Sequence, residues 1–168
     1  FVSVGDDILL VGETAGHLGR SLLLRHCGKG DTGAPPPVDL IAERRNGDFI
    51  RAQIESGIVT ACHDLSDGGL LVAIAEMVIA GDMGADLGIQ PNMMPALAWW
   101  FGEDQARYLI TSKRGKMVIA AAEAAGVPAL IIGRTGGTVL TLADGNSIPL
   151  SQIREVHENW LPLYMTAG

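Results

Sequence analysis

Residues His63-Asp64-Leu65-Ser66-Asp67-Gly68-Gly69 form the densest group of chemically capable side chains in the sequence, between an apolar run ending at Cys62 and another starting at Leu70. A helix starting after such a segment leaves backbone N–H groups without intrahelical partners. Its dipole favours an anion there, and Gly68 and Gly69 permit close backbone approach. Phosphate binding is therefore one available chemistry. A hard cation such as Mg²⁺ is the other, because Asp64 and Asp67 offer the oxygen ligands it prefers. The same residues also suit a purely structural part. Ser66 or Asp67 would cap the helix, the glycines would allow tight packing, and His63 would be a half-buried, satisfied imidazole. Residue types alone favour that structural part.

A second group, Phe101-Gly102-Glu103-Asp104-Gln105-Ala106-Arg107, crowds carboxylate, amide and guanidinium groups just before a strand-like run. It suits a metal, a ribose or a phosphate, and Arg107 offers a planar fork matched to phosphate. Equally, it suits an acidic turn in which Arg107 pairs with Glu103 or Asp104 on the surface. The third group is Gly12 to Ser21, glycine-punctuated at 12, 16 and 19. Its spacing is neither a Walker A loop nor the dinucleotide fingerprint, so alone it carries little. No Ser/His/Asp or Cys/His arrangement is recognisable, and His17, His26, His63 and His157 form no zinc-protease pattern. Trp99-Trp100 reads as core or interface packing.

The elements that must position these groups follow from local pattern. Asp7 to Val11 is a short apolar run, a buried strand. Leu18, Leu22 and Leu23 repeat at helical spacing, and Gly28 to Pro37 carries nearly every loop signal. Val38 to Glu55 predicts a helix weakened at Asn46-Gly47, with Gly57 as its stop. Ile58 to Cys62 predicts a strand, and Leu70 to Ala80 a helix buried on most faces. Gly84 to Gln90, Arg107 to Thr111 and Val127 to Gly133 predict strands, with a loop over Pro91 to Pro95 and an Ala-rich helix over Met117 to Ala125. Asp144-Gly145 between two short runs is a hairpin signal. Ser151 to Tyr164 predicts a terminal helix with Ser151 as its N-cap. Strands and helices mix without strict alternation, which predicts an α+β domain on a mixed sheet.

Bulk composition bounds the function. The 168 residues suit a single domain over 1–168. They are 48% hydrophobic and 18% charged, enough apolar material for a core. The net charge of −7 has no basic run, which disfavours nucleic acid as a partner; Arg44-Arg45 reads as a solvated helix face. Leu70 to Ala80 is too short to span a bilayer, which needs ~20 residues. Cys27 and Cys62 lack metal-ligand spacing, Cys62 reads as a buried thiol, and a reducing cytoplasm is the simplest setting. A start at Phe1, directly before strand-like sequence, reads as a cut from a longer polypeptide.

The ordered set of segments resembles the C-terminal domain of the AIR synthase superfamily. Gly5 to Thr14 resembles its opening strand, Leu18-Gly19-Arg20-Ser21 its leucine-glycine-glycine-serine element, and Pro36 to Leu40 its proline-valine-aspartate-leucine helix start. His63 to Leu70 with Ala75-Glu76-Met77 resembles its aspartate-glycine-glycine helix, and Phe101 to Arg107 its phenylalanine-serine-glutamate-serine-glutamine stretch. Within the superfamily the wording is closest to the formylglycinamidine ribonucleotide synthase family of purine synthesis. That resemblance implies ATP and Mg²⁺ as cofactors in a ligase with glutamine-derived ammonia as nitrogen source. As partners it implies the remaining domains of the same polypeptide, a glutaminase subunit and a small accessory subunit. It makes Asp64, Ser66, Asp67, Gly68, Gly69, Gln105 and Arg107 nucleotide- or phosphate-contacting candidates and Asp67 and Glu103 metal candidates, with no catalytic residue in this chain. Arg20 and Asp104 depart from the superfamily pattern, standing where it has glycine and serine. Another superfamily enzyme and a non-catalytic scaffold are the competing readings; an apolar patch for partner domains is expected on the surface.

Overall fold

The computed structural model describes residues 1–88 and 94–166. In chain order the elements are β1 (Asp7–Val11), α1 (Leu22–His26), α2 (Leu40–Glu55), β2 (Ala61–Asp64), α3 (Gly69–Gly81), β3 (Ala85–Leu87), α4 (Ala96–Phe101), β4 (Tyr108–Ser112), α5 (Gly115–Ala124), β5 (Ala129–Thr135), β6 (Val139–Thr141), β7 (Ser147–Pro149) and α6 (Leu150–Thr166).

The architecture follows from β1. Successive strand residues point to opposite faces, yet Ile8, Leu9, Leu10 and Val11 are all buried. Both faces of the sheet must therefore be covered. Ile8 and Leu10 join Leu109 and Ile132 in a cluster with Leu70, Ile74 and Val78 of α3 and Trp99 and Trp100 of α4. Leu9 and Val11 join Ile110 in a second cluster with Phe49 and Ile50 of α2 and Val118 and Ala122 of α5. The two clusters are the two sides of one seven-stranded sheet, ordered β2-β4-β1-β5-β3-β6-β7. β1 lies antiparallel between β4 and β5, and β2 pairs antiparallel with β4 at one edge. β3 pairs antiparallel with β5 and parallel with β6. The sheet is thus mixed, as the α+β pattern predicts, and the hairpin at Asp144-Gly145 forms with β6 and β7 antiparallel.

Several local expectations shift. β2 begins at Ala61 rather than Ile58, so His63 and Asp64 belong to the strand and not to the turn. Ile58 and Val59 instead pack against the second cluster. Cys62, expected buried, is exposed on this edge strand. Helix α2 runs unbroken through Asn46-Gly47. Asn46 is buried there, and a side chain at Gly47 would crowd the Tyr108 hydroxyl. α6 starts at Leu150, so Ser151 lies inside the helix rather than capping it. The Gly84-to-Gln90 strand reduces to Ala85–Leu87 among the described residues, and Ile89, Gln90 and most of the Pro91-to-Pro95 loop lie outside them. Trp99 and Trp100 are buried in an edge-to-face pair, as core packing predicts. The expected apolar surface is present on α6: every residue from Glu155 to Thr166 is exposed, including Val156, Trp160 and Leu163.

Candidate functional site

The turn between α4 and β4 ties four parts of the chain together. Ala106 has φ +58°, a left-handed conformation rare for a residue with a side chain. Helix α2 holds it there: Ala106 N–H donates to Glu43 Oε1 at 2.8 Å, and Asn46 Nδ2 donates to the Ala106 carbonyl at 2.9 Å. Gly12, at φ +101°, lies so close that a Cβ would collide with that carbonyl. Sequence reading missed Glu43 and Asn46. A polar Asn in mid-helix beside a glycine was the available signal, since such a residue either faces water or has a tertiary partner.

Arg107 is buried, at 1% exposure. Its Nε donates to the Asp104 carbonyl at 3.1 Å, Nη1 to Thr14 Oγ1 at 3.2 Å, and Nη2 to the Gly102 carbonyl. Asp104 Oδ2 lies 3.8 Å from Nη2. Burial pushes the guanidinium pKa down and Asp104 pulls it back up; arginine starts so far above neutrality that it stays charged. The fork expected to meet phosphate, or to pair on the surface, is instead turned inward to anchor the turn.

The two neighbouring carboxylates also face the chain. Asp104 accepts from the Gly16 N–H at 2.9 Å and the His17 N–H at 3.1 Å. Glu103 Oε1 accepts from the Leu22 and Gly68 N–H groups, both at 2.8 Å. The glycine-punctuated loop after β1 thus meets protein carboxylates at the positions where a phosphate loop would meet its ligand.

The 63–69 segment lies across from this turn. Leu65 N–H donates to the Arg107 carbonyl at 3.0 Å, and the Leu65 side chain is buried. Gly68, at φ +81°, is the N-cap of α3 without a side-chain cap, so neither Ser66 nor Asp67 takes the capping role; Glu103 from the distant turn accepts the Gly68 N–H instead. Gly69 allows contact with the 101–102 backbone, where a Cβ would collide. The side chains between these fixed points face outward: Asp64, Ser66 and Asp67 are exposed, and so is Gln105. His63 is half-buried, its Nε2 3.1 Å from Glu76 Oε2 and its Nδ1 on the Asp64 carbonyl. Cys62 is exposed by area, but partial burial of its thiol and then Asp64 push its pKa up.

The site therefore divides into a frame and a rim. Gly68, Gly69, Glu103 and Arg107 hold the frame; Asp64, Ser66 and Asp67 form the rim, and Gln105 is exposed on the turn itself. On the far side of the turn, a cavity of about 170 Å³ is lined by Glu13, Asp39, Arg45, Asn46 and Gln105, among others. Among the described residues no group of three or more His, Cys, Asp or Glu is placed to hold a metal by itself. Mg²⁺ commonly takes one or two protein carboxylates and completes its shell with water and phosphate. Asp67 offers one exposed carboxylate there, while Glu103 Oε1 is occupied by two N–H groups.

A mixed sheet covered on both faces, with its first-strand loop closed by carboxylates from a later turn, defines a class of α+β domain. The chain belongs to the AIR synthase related protein, C-terminal domain family, whose model matches residues 3–143; β7 and the whole of α6 lie beyond the match. The phosphoribosylformylglycinamidine synthase subunit PurL of Parvibaculum lavamentivorans is 56% identical over 173 aligned residues, covering 100% of this chain and 23% of that protein. The chain thus spans less than a quarter of that relative. Solved structures of Thermotoga maritima PurL share the fold at low identity. The complex with ATP aligns at TM-score 0.70 and 19% identity, covering 91% of this chain and 26% of that one. The complex with FGAR aligns at TM-score 0.71 and 18% identity, covering 90% and 28%. The PurLQS structure aligns at TM-score 0.69 and 19% identity, covering 91% and 26%. Among the described residues, no helix is long and apolar enough to cross a membrane.

Proposed function

We propose that residues 1–168 are one domain of a longer, PurL-type chain: the C-terminal domain of the synthetase subunit of phosphoribosylformylglycinamidine synthase. The observation that carries this reading is 56% identity along the whole chain to a PurL subunit. In this reading the parent enzyme converts formylglycinamide ribonucleotide, ATP and glutamine-derived ammonia to the formylglycinamidine in the cytoplasm. ATP supplies a phosphoryl group to the substrate amide oxygen. Ammonia then displaces phosphate, so a poor leaving group has become a good one. The protein's share is positioning and charge stabilisation.

This domain contributes no catalytic residue. Asp64, Ser66, Asp67 and Gln105 are exposed and available to Mg·nucleotide, with Asp67 the metal-facing carboxylate. Gly68, Gly69, Glu103 and Arg107 hold them in place. Its partners are the remaining domains of its own chain, with a glutaminase subunit and a small accessory subunit in the assembly. The PurLQS assembly of Thermotoga maritima supports the existence of such partners.

The inward turn of Glu103, Asp104 and Arg107 favours a second reading, a scaffold that binds no nucleotide. Calorimetric titration of Mg·ADP and Mg·ATP into the wild-type chain and an Asp67→Ala variant decides between them. Binding that the variant loses is expected; no binding leaves the scaffold or a site completed by the other domains, and the same titration on the full-length enzyme separates those two. The chain alone is expected to form no amidine, and amidine formation by it would overturn the reading that this domain contributes no catalytic residue.

A further inference from the structure

Four backbone donors of a kind suited to phosphate are already matched by carboxylates of the chain. Leu22 N–H and Gly68 N–H come from distant segments and converge on one oxygen, Glu103 Oε1, each at 2.8 Å. Beside it the consecutive amides of Gly16 and His17 converge on the Asp104 carboxylate at 2.9 and 3.1 Å. Consecutive amides aimed the same way form an anion-binding concavity. A carboxylate accepting such N–H groups makes charge-assisted bonds roughly twice as strong as neutral ones.

We propose that Glu103 and Asp104 are resident anions, holding from within the chain the places a ligand's phosphate would take. Glu103 is thereby a positioning residue: it fixes the turn before α3 and leaves Asp64, Ser66 and Asp67 facing outward. A ligand at this rim meets Asp64, Ser66 and Asp67 through a chelated cation or a hydroxyl, as in a metal–nucleotide, and not through a bare phosphate on the Gly16, His17, Leu22 or Gly68 amides. The ligand preference rests on the reading under Proposed function; the resident anions rest on the hydrogen bonds alone.

The test is ¹⁵N–¹H spectroscopy and thermal melting of the wild-type chain, Glu103→Ala and Glu103→Gln, with and without inorganic phosphate at constant ionic strength. Phosphate should leave the Leu22 and Gly68 amides of the wild type unmoved. In Glu103→Ala it should shift both saturably and raise the melting temperature more than in the wild type. Glu103→Gln keeps the acceptor and loses the charge, so its Leu22 and Gly68 amides should exchange faster than in the wild type. Equal phosphate shifts in the wild type and Glu103→Ala would overturn the proposal, as would a folded Glu103→Ala whose two amides ignore phosphate. If Glu103→Ala does not fold, unchanged amide exchange in Glu103→Gln overturns it. A chain that responds this way to phosphate but binds no Mg·ADP loses the nucleotide reading and keeps the resident anions.

Discussion

Residues 101–107 and 63–69 each combine carboxylates with glycine, and each lies where a helix meets a strand; in sequence they look like two halves of one ligand site. In the fold they face opposite ways. The 101–107 turn spends its charges inward: Arg107 on backbone carbonyls and Thr14, Asp104 on Gly16 and His17, Glu103 on Leu22 and Gly68. The 63–69 segment turns backbone, glycines and the Leu65 side chain inward, half-buries His63, and leaves Asp64, Ser66 and Asp67 in solvent. A polar cluster is thus no measure of ligand binding until its internal partners have been counted. Buried polar groups must be paired, and a long-range turn needs just such groups to fix it.

That contrast can be broken at Arg107. Replacing it with Met leaves the buried Asp104 without its cation and frees the Gly102 carbonyl, so urea denaturation should show a loss of about 3–5 kcal/mol. At the rim, Asp64→Asn and Asp67→Asn should each change stability by no more than about 0.5 kcal/mol, since exposed side chains away from the frame contribute little. A rim substitution as costly as the Arg107 change, by the same denaturation, would erase the distinction. A finer probe is Cys62. Its thiol pKa is raised first by partial burial and then by Asp64, and the thiolate is the reactive form. The pH at which its alkylation rate reaches half-maximum should therefore lie above the ordinary thiol range. Asp64→Asn should lower that pH slightly by removing the smaller of the two causes, and mass-spectrometric quantitation of Cys62 labelling would show it.

Legibility in the sequence divides along the same line. β1 was readable to the residue because a run of four buried apolar side chains has no other use at that length. The turn at Asp144-Gly145 and the buried α3 were readable for similarly local reasons. What failed depended on distant partners. The α2 helix itself was legible; the part Asn46 plays in it was not, because local propensity marks Asn46-Gly47 only as a weak point. Ala106, far along the chain, supplies the hydrogen bond that makes Asn46 useful there. Arg107 looked like a phosphate ligand because its type suits phosphate, and nothing adjacent revealed that its acceptors lie at Gly102 and Thr14. Ser66 and Asp67 looked like caps because caps are usually local; here Glu103 from the distant turn accepts the Gly68 N–H instead.

The interior place of β1 also has a consequence for synthesis. Its two neighbours in the sheet are Tyr108–Ser112 and Ala129–Thr135, so on a ribosome it emerges long before either exists. Such non-local pairing slows folding, and an unpaired apolar strand is exposed to aggregation in the interval. This strand, flanked on both sides in the finished sheet, is thus made before either neighbour and, until the chain has passed Thr135, is a natural client for a chaperone.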